Sequence, residues 1–172
     1  MENLKYPIGK FNVPASYTTK QRKECIKVLK DATFKFKEAV TSLNEEQLNT
    51  PYREGGWTPK QVINHVADSH MNSLIRVKLA LTEENPTIKG YDENAWITLS
   101  DSNYDFQSSL KIIEGIHERY VVLLESLTDE QFKRTCFHPE LNLEISIDFL
   151  LALYAWHSQH HLAHIYLVKN NK

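Results

Sequence analysis

Four histidines crowd one short stretch near the C-terminus, YAWHSQHHLAHIYLV (Tyr154 to Val168): His157, His160, His161 and His164. They are half of the eight in the chain. An imidazole can move protons near neutral pH, or hold a metal ion through a neutral ring nitrogen. If the stretch is helical, each residue turns by about 100°, and all four fall inside a sector of roughly 100°. Leu150, Leu153 and Tyr154 share that sector, so it points inward. His157 with His161, and His160 with His164, are i, i+4 pairs, about 5–6 Å apart at Cβ and able to chelate one ion. The plain alternative is a set of core fillers, or a patch near a helix C-terminus where positive charge is favoured. A single histidine would be read that way. Four buried imidazoles all need partners, and charging them together is costly. A cation held by neutral rings removes both difficulties. Spacing alone does not choose between the two pairs.

One helix supplies two good ligands to one ion, so a third must come from elsewhere. His138 precedes Pro139 in a loop. His117 sits among Glu114, Glu118 and Arg119 and reads as exposed. His70 is turned about 140° from His65, so the two are not expected to face the core together. His65 shares an apolar or small face with Val62, Val66, Ser69 and Ser73, which makes it the expected third ligand. Asp68 follows one turn later and can orient an imidazole or take a proton. It reads equally well as an exposed helix acid. Asn72 and Arg76 continue that side, towards a polar substrate or towards solvent. Trp57, Trp96 and Trp156 either wall a pocket or belong to the core. The chain shows no Ser-His-Asp string, phosphate loop or glycine-rich nucleotide motif.

Four long helical patterns must carry these residues. The first runs from about Thr19 to Leu43, with apolar residues at steps of three and four. The second opens at GGWTPKQV: Gly55 and Gly56 break the chain, Thr58 caps and Pro59 takes the first helical position. It ends near Leu81, before the turn-rich TEENPTIKG. YDENAW (Tyr91 to Trp96) is expected to form a helical turn. The third covers about Phe106 to Leu127, with Leu110, Ile113, Ile116, Tyr120, Leu123 and Leu124 inward. FHPELNLEISI is short, branched and broken by Pro139, which predicts a small hairpin or irregular loop. The fourth starts at a capping Ser146 and reaches about Lys169. SLNEEQLN (Ser42 to Asn49) and SLTDEQFK (Ser126 to Lys133) echo one another after the first and third helices. The echo fits an internal duplication, or chance reuse of a good helix-ending string. The expected fold is all-α, a four-helix bundle with the insert before the last helix.

The chain has 172 residues, enough for one domain (1–172) with a core of its own. A net charge of −2 with no basic block argues against nucleic-acid binding. MENLKYPIGK lacks the pattern of a signal peptide. The apolar run from Ile147 to Trp156 is shorter than the roughly 20 residues a membrane span needs. Cys25 and Cys136 fit no CxxC pattern and read as reduced thiols of a cytoplasmic protein.

TPYREGGWTPKQVINHVADSHMNSLIRVKLALTEENP, YDENAW and YAWHSQHHLAHI together resemble the YfiT-like branch of the DinB superfamily, and the similarity extends from YPIGKFNVP onward. The resemblance implies an up-and-down four-helix bundle with one divalent metal ion on three histidines. One is the His of NHVADSH, His65; the other two are the first and last of HSQHH, His157 and His161. His164 then supports the site rather than ligating. Zinc is the expected ion, and nickel also suits imidazole. The resemblance further implies a metal-dependent hydrolase of a small molecule. A second implied activity is bacillithiol S-transfer, with the metal activating a low-molecular-weight thiol. A homodimer is implied as well. Three neutral histidines with a position left open suit a catalytic zinc site, where a bound water has a pKa of about 7. A metal-binding bundle without turnover is the non-enzymatic rival.

Overall fold

A computed structural model describes residues 2–170; Met1, Asn171 and Lys172 of the expected domain lie outside the described residues. The order is α1 (Glu2–Lys5), α2 (Thr19–Thr41), α3 (Glu45–Leu48), α4 (Pro59–Thr82), α5 (Glu93–Trp96), a 3-10 turn (Ser100–Asn103), α6 (Phe106–Glu125), α7 (Asp129–Phe132), β1 (Thr135–His138), β2 (Leu143–Ser146) and α8 (Ile147–Asn170). The four long helices α2, α4, α6 and α8 form the expected bundle. The expected hairpin is also present, with β1 antiparallel to β2 and Cys136 opposite Ile145.

Local chemistry accounts for the boundaries. Thr18 and Thr58 cap α2 and α4 in reciprocal capping boxes with Gln21 and Gln61, and Pro59 begins α4. Ser146 caps α8, its hydroxyl accepting from the Phe149 amide at 3.1 Å. The two echoing strings form α3 and α7, each one turn long and each closed by a capping box, Asn44 with Gln47 and Thr128 with Gln131. The first and third helices each stop two residues before the expected end. Ser42 and Ser126 turn their hydroxyls back onto the carbonyls of Ala39 and Leu123, both at 2.7 Å. Leu43 beyond the first of these is still buried, so the apolar period outlasts the helical backbone.

The direction of the helices follows from three bonds. Arg22, near the start of α2, forks onto Asp148, near the start of α8, so these two run parallel. Ser109 donates to Asn64, near the starts of α6 and α4, which also run parallel. The Asn64 amide donates to the Ser102 carbonyl at 2.8 Å, so the connection from α4 to α6 has returned to the end where α4 began. The long helices therefore run up, down, down, up rather than alternating. Each packs on two neighbours, α2 on α8 and α6, and α4 on α6 and α8.

The core splits into two apolar clusters. One holds Leu29, Leu74, Tyr120, Leu124, Ile147 and Leu150. The other holds Phe36, Val62, Val66, Ile113, Ile165 and Val168. On α4, α6 and α8 the histidines between them in sequence are His70, His117, and His157, His160, His161 and His164. A layer of histidine divides the bundle.

Candidate metal centre

His65 on α4 faces His157 and His161 on α8. The Nε2 atoms of His65 and His157 are 3.1 Å apart, and one ring nitrogen from each of the three lies within 4.8 Å of the others. The rings stand edge to face, with centroids 4.4 Å apart for His157–His161 and 4.8 Å for His65–His161. This is the convergence of donors that a cation needs and that neutral rings permit. His160, His161 and His164 form a second group within the same distance and share His161 with the first.

The loop before α4 walls the centre. Gly55 adopts φ +63°, and a Cβ on Gly56 would lie 2.8 Å from Arg53 Cγ and 3.2 Å from the Tyr52 ring. The tight turn these glycines allow lays Trp57 on His65, centroids 4.7 Å apart, and stacks Tyr52 on His164 at 3.8 Å. Trp156 stacks on His160 at 4.5 Å. The histidines open into a cavity of about 560 Å³ whose polar wall includes Lys5, Arg53, Arg76, Tyr91 and Glu140.

Burial dominates the electrostatics. It pushes His65 down to about 4, helped by His160. It also holds His157 and His161 well below the usual histidine range, with their neighbouring rings adding to the effect. Near neutral pH all three are uncharged, the form that ligates.

Most of the singled-out residues come together, with three exceptions and two corrections. Trp57, Trp156, Arg76 and His138 line the cavity. Trp96 instead packs on Tyr91, centroids 4.3 Å apart, outside that wall. Asp68 is half-buried, does not line the cavity, and has no hydrogen bond from its carboxylate to a histidine among the described residues. Asn72 donates to the Asp68 carbonyl at 2.9 Å. His70 was not expected to be buried alongside His65, yet both are. α4 packs on α6 and on α8, so its buried arc is wider than one face. His117 was expected to be exposed and is only 2 % exposed. Its signal was available: with Ile113 and Tyr120 it continues an i, i+4, i+7 series, and its charged neighbours lie on the other side of the helix.

A description of the DinB superfamily matches residues 20–165. The chain belongs to the DinB superfamily. Among DinB relatives it is 49% identical to the "Putative metal-dependent hydrolase YfiT" of Bacillus subtilis, over 95% of this chain and 92% of YfiT. It is 50% identical to a relative from Oceanobacillus iheyensis that carries the same metal-dependent hydrolase description, over 95% of this chain and 94% of that one. The solved structure of Bacillus subtilis YfiT superposes with a TM-score of 0.94 over 97% of this chain and 96% of YfiT, at 48% identity. It is described as having "an unusual four-helix bundle topology". A mycothiol-dependent maleylpyruvate isomerase shares the fold at a TM-score of 0.66 and 16% identity, over 84% of this chain and 60% of its own.

Proposed function

We propose that this chain is a one-domain, metal-dependent hydrolase of a small molecule, with one divalent ion held by His65, His157 and His161. Zinc is the first candidate and nickel the second. The observation that carries the reading is the 3.1 Å approach of two Nε2 atoms, one from each of two helices, inside a group of rings held neutral by burial. The DinB relatives named as metal-dependent hydrolases support it. Bound there, a divalent ion would supply Lewis acidity and make a water acidic near pH 7. The chain does the rest. Trp57 and Trp156 exclude bulk water from one side, and Arg53 and Arg76 meet polar or anionic parts of a substrate. Asp68 is the candidate base. Burial, and then Asp101, raise its carboxyl, which favours proton uptake. Its place outside the cavity wall gives it work through an imidazole or a water.

Elemental analysis tests the ligands. The parent chain should carry about one equivalent of metal, and His65→Ala, His157→Ala and His161→Ala should each lose it. If His160→Ala and His164→Ala empty the centre while His157→Ala does not, the ligand set is wrong. The second reading, thiol S-transfer, is favoured by the thiol-dependent isomerase with the same fold. Metal-loaded and chelated protein, assayed with and without bacillithiol on ester, amide and electrophile panels, separates the two. Turnover only with thiol makes the transferase correct; no turnover in any panel leaves a metal-binding bundle. A cytoplasmic homodimer belongs to the same proposal, and sedimentation showing only monomer at micromolar concentration would remove it.

A further inference from the structure

Behind His157 the layer of imidazoles continues across the bundle. His157 Nδ1 lies 3.1 Å from His70 Nε2, and His70 Nδ1 lies 2.8 Å from His117 Nε2. His117 Nδ1 then reaches α2, 3.4 Å from Thr33 Oγ1. Behind His161 a shorter series has the same form. His161 Nδ1 lies 3.4 Å from His164 Nδ1, and His164 Nε2 lies 3.2 Å from the Lys5 carbonyl.

A carbonyl oxygen only accepts, so the series that ends on Lys5 has a direction. His164 must carry its proton on Nε2 to bond Lys5, which leaves its Nδ1 as an acceptor. His161 must then donate from Nδ1, and its Nε2 keeps the lone pair. On the other side the Thr33 hydroxyl lies on His117 Nδ1; with that hydroxyl as acceptor, His117 donates from Nδ1 and accepts at Nε2. His70 therefore donates from Nδ1 and accepts at Nε2. His157 must donate from Nδ1, and its Nε2, the atom that faces His65, is left unprotonated. Neutral imidazole has one donor and one acceptor nitrogen, so no single link can be reversed alone without setting two protons or two lone pairs against each other.

We infer that His70, His117 and His164 are positioning residues: two histidine series, one ending on the Lys5 carbonyl and one on the Thr33 hydroxyl, fix His157 and His161 in the Nδ1–H form with both Nε2 lone pairs turned to the centre. This rests on the ligand set proposed above. It also gives His164 a role that excludes ligation, because both of its nitrogens are taken. The layer costs the bundle apolar packing at its midpoint, and in return the donor atoms are set before any ion arrives.

Two measurements test this, one of them without metal. In the chelated chain with 15N-labelled histidine, two-bond 1H–15N correlation spectra should show His157, His161, His70 and His117 protonated on Nδ1 and His164 on Nε2. Finding His157 or His161 protonated on Nε2 would overturn the inference whether or not the chain binds metal. The second measurement is zinc affinity by competition with a chelating dye. His164→Leu and His70→Leu should bind about 10–100-fold more weakly. His164→Asn, whose Oδ1 can accept where Nδ1 did, should stay within about threefold of the parent. Equal losses in His164→Leu and His164→Asn, at matched thermal stability, would reduce His164 to a packing residue. A parent chain that binds no divalent ion, with the tautomers as stated, would instead defeat the proposed function and leave the histidine series standing.

Discussion

The buried imidazoles hold their positions by giving up charge, and acid should expose that. Burial pushes His117 down to about 4, and His65 to a similar value, against about 6.5 for a free histidine. Between those limits the unfolded chain binds protons that the folded chain refuses. Stability is therefore full above pH ~6.5 and falls as pH drops towards ~4, by about 1.4 kcal/mol per pH unit for each such histidine. Urea unfolding of chelated protein should show the midpoint declining through this window, and His117→Gln should make the decline shallower by one histidine's share. A midpoint constant from pH 7 to 4.5 would contradict the assignment. At this scale much of the centre was legible. The inward face of α8 followed from spacing, and His65 from its apolar company. His70 and His117 were not legible, because a single inward direction was assumed for helices that each bury two sides. The Arg22–Asp148 pair left no local signal, since its partners are 126 residues apart.

Among the elements, the loop from Tyr52 to Trp57 does the most specific work. The Tyr52 amide donates to the Trp57 carbonyl at 3.1 Å and closes the turn that sets both rings against the histidines. Gly55→Ala should cost about 1 kcal/mol, because alanine is strained at a positive φ. Gly56→Ala should do more, since its Cβ meets the Arg53 backbone carbonyl at 3.1 Å as well as two side chains. Thermal melts should rank Gly56→Ala below Gly55→Ala, with fluorescence of Trp57 reporting the displaced wall; equal melts would show that the turn yields freely. Thr58→Ala removes the N-cap of α4 and should lower stability by about 1 kcal/mol in the same assay. These devices were visible in the string GGWTPKQV. The helix ends were less visible, because Leu43 is buried from beyond the helix and so mimics one more helical turn.

For the molecule as a whole, one ion pair ties its first long helix to its last. Arg22 Nε and Nη2 donate to the Asp148 carboxylate at 2.6 and 2.8 Å, and both side chains are less than 10% exposed. Asp148→Ala leaves the guanidinium buried with the exposed Asp129 as its remaining hydrogen-bond partner among the described residues, and should cost about 3–5 kcal/mol. Chemical unfolding should register that loss, and a change under 1 kcal/mol would show that water replaces the carboxylate without difficulty. The bundle was legible from four helical periods, but the order of directions was not. Nothing in the turn-rich stretch before α6 says that it travels the length of the bundle before the next helix begins.

That order has a consequence for how the protein is made. The proposed chelating pair His157–His161 lies on α8, which is synthesised after α4, and the proposed facing ligand His65 precedes His157 by 92 residues. On that ligand set, a chain released before α8 has no chelating pair and no parallel neighbour for α2, so it would not capture a cation at this centre. Capture would wait until α4 and α8 have met. Loading would then stabilise only chains that include α8, by about 2.7 kcal/mol when the free ion is a hundredfold above its dissociation constant. Chains with and without α8 would then differ in their resistance to proteolysis in the presence of metal.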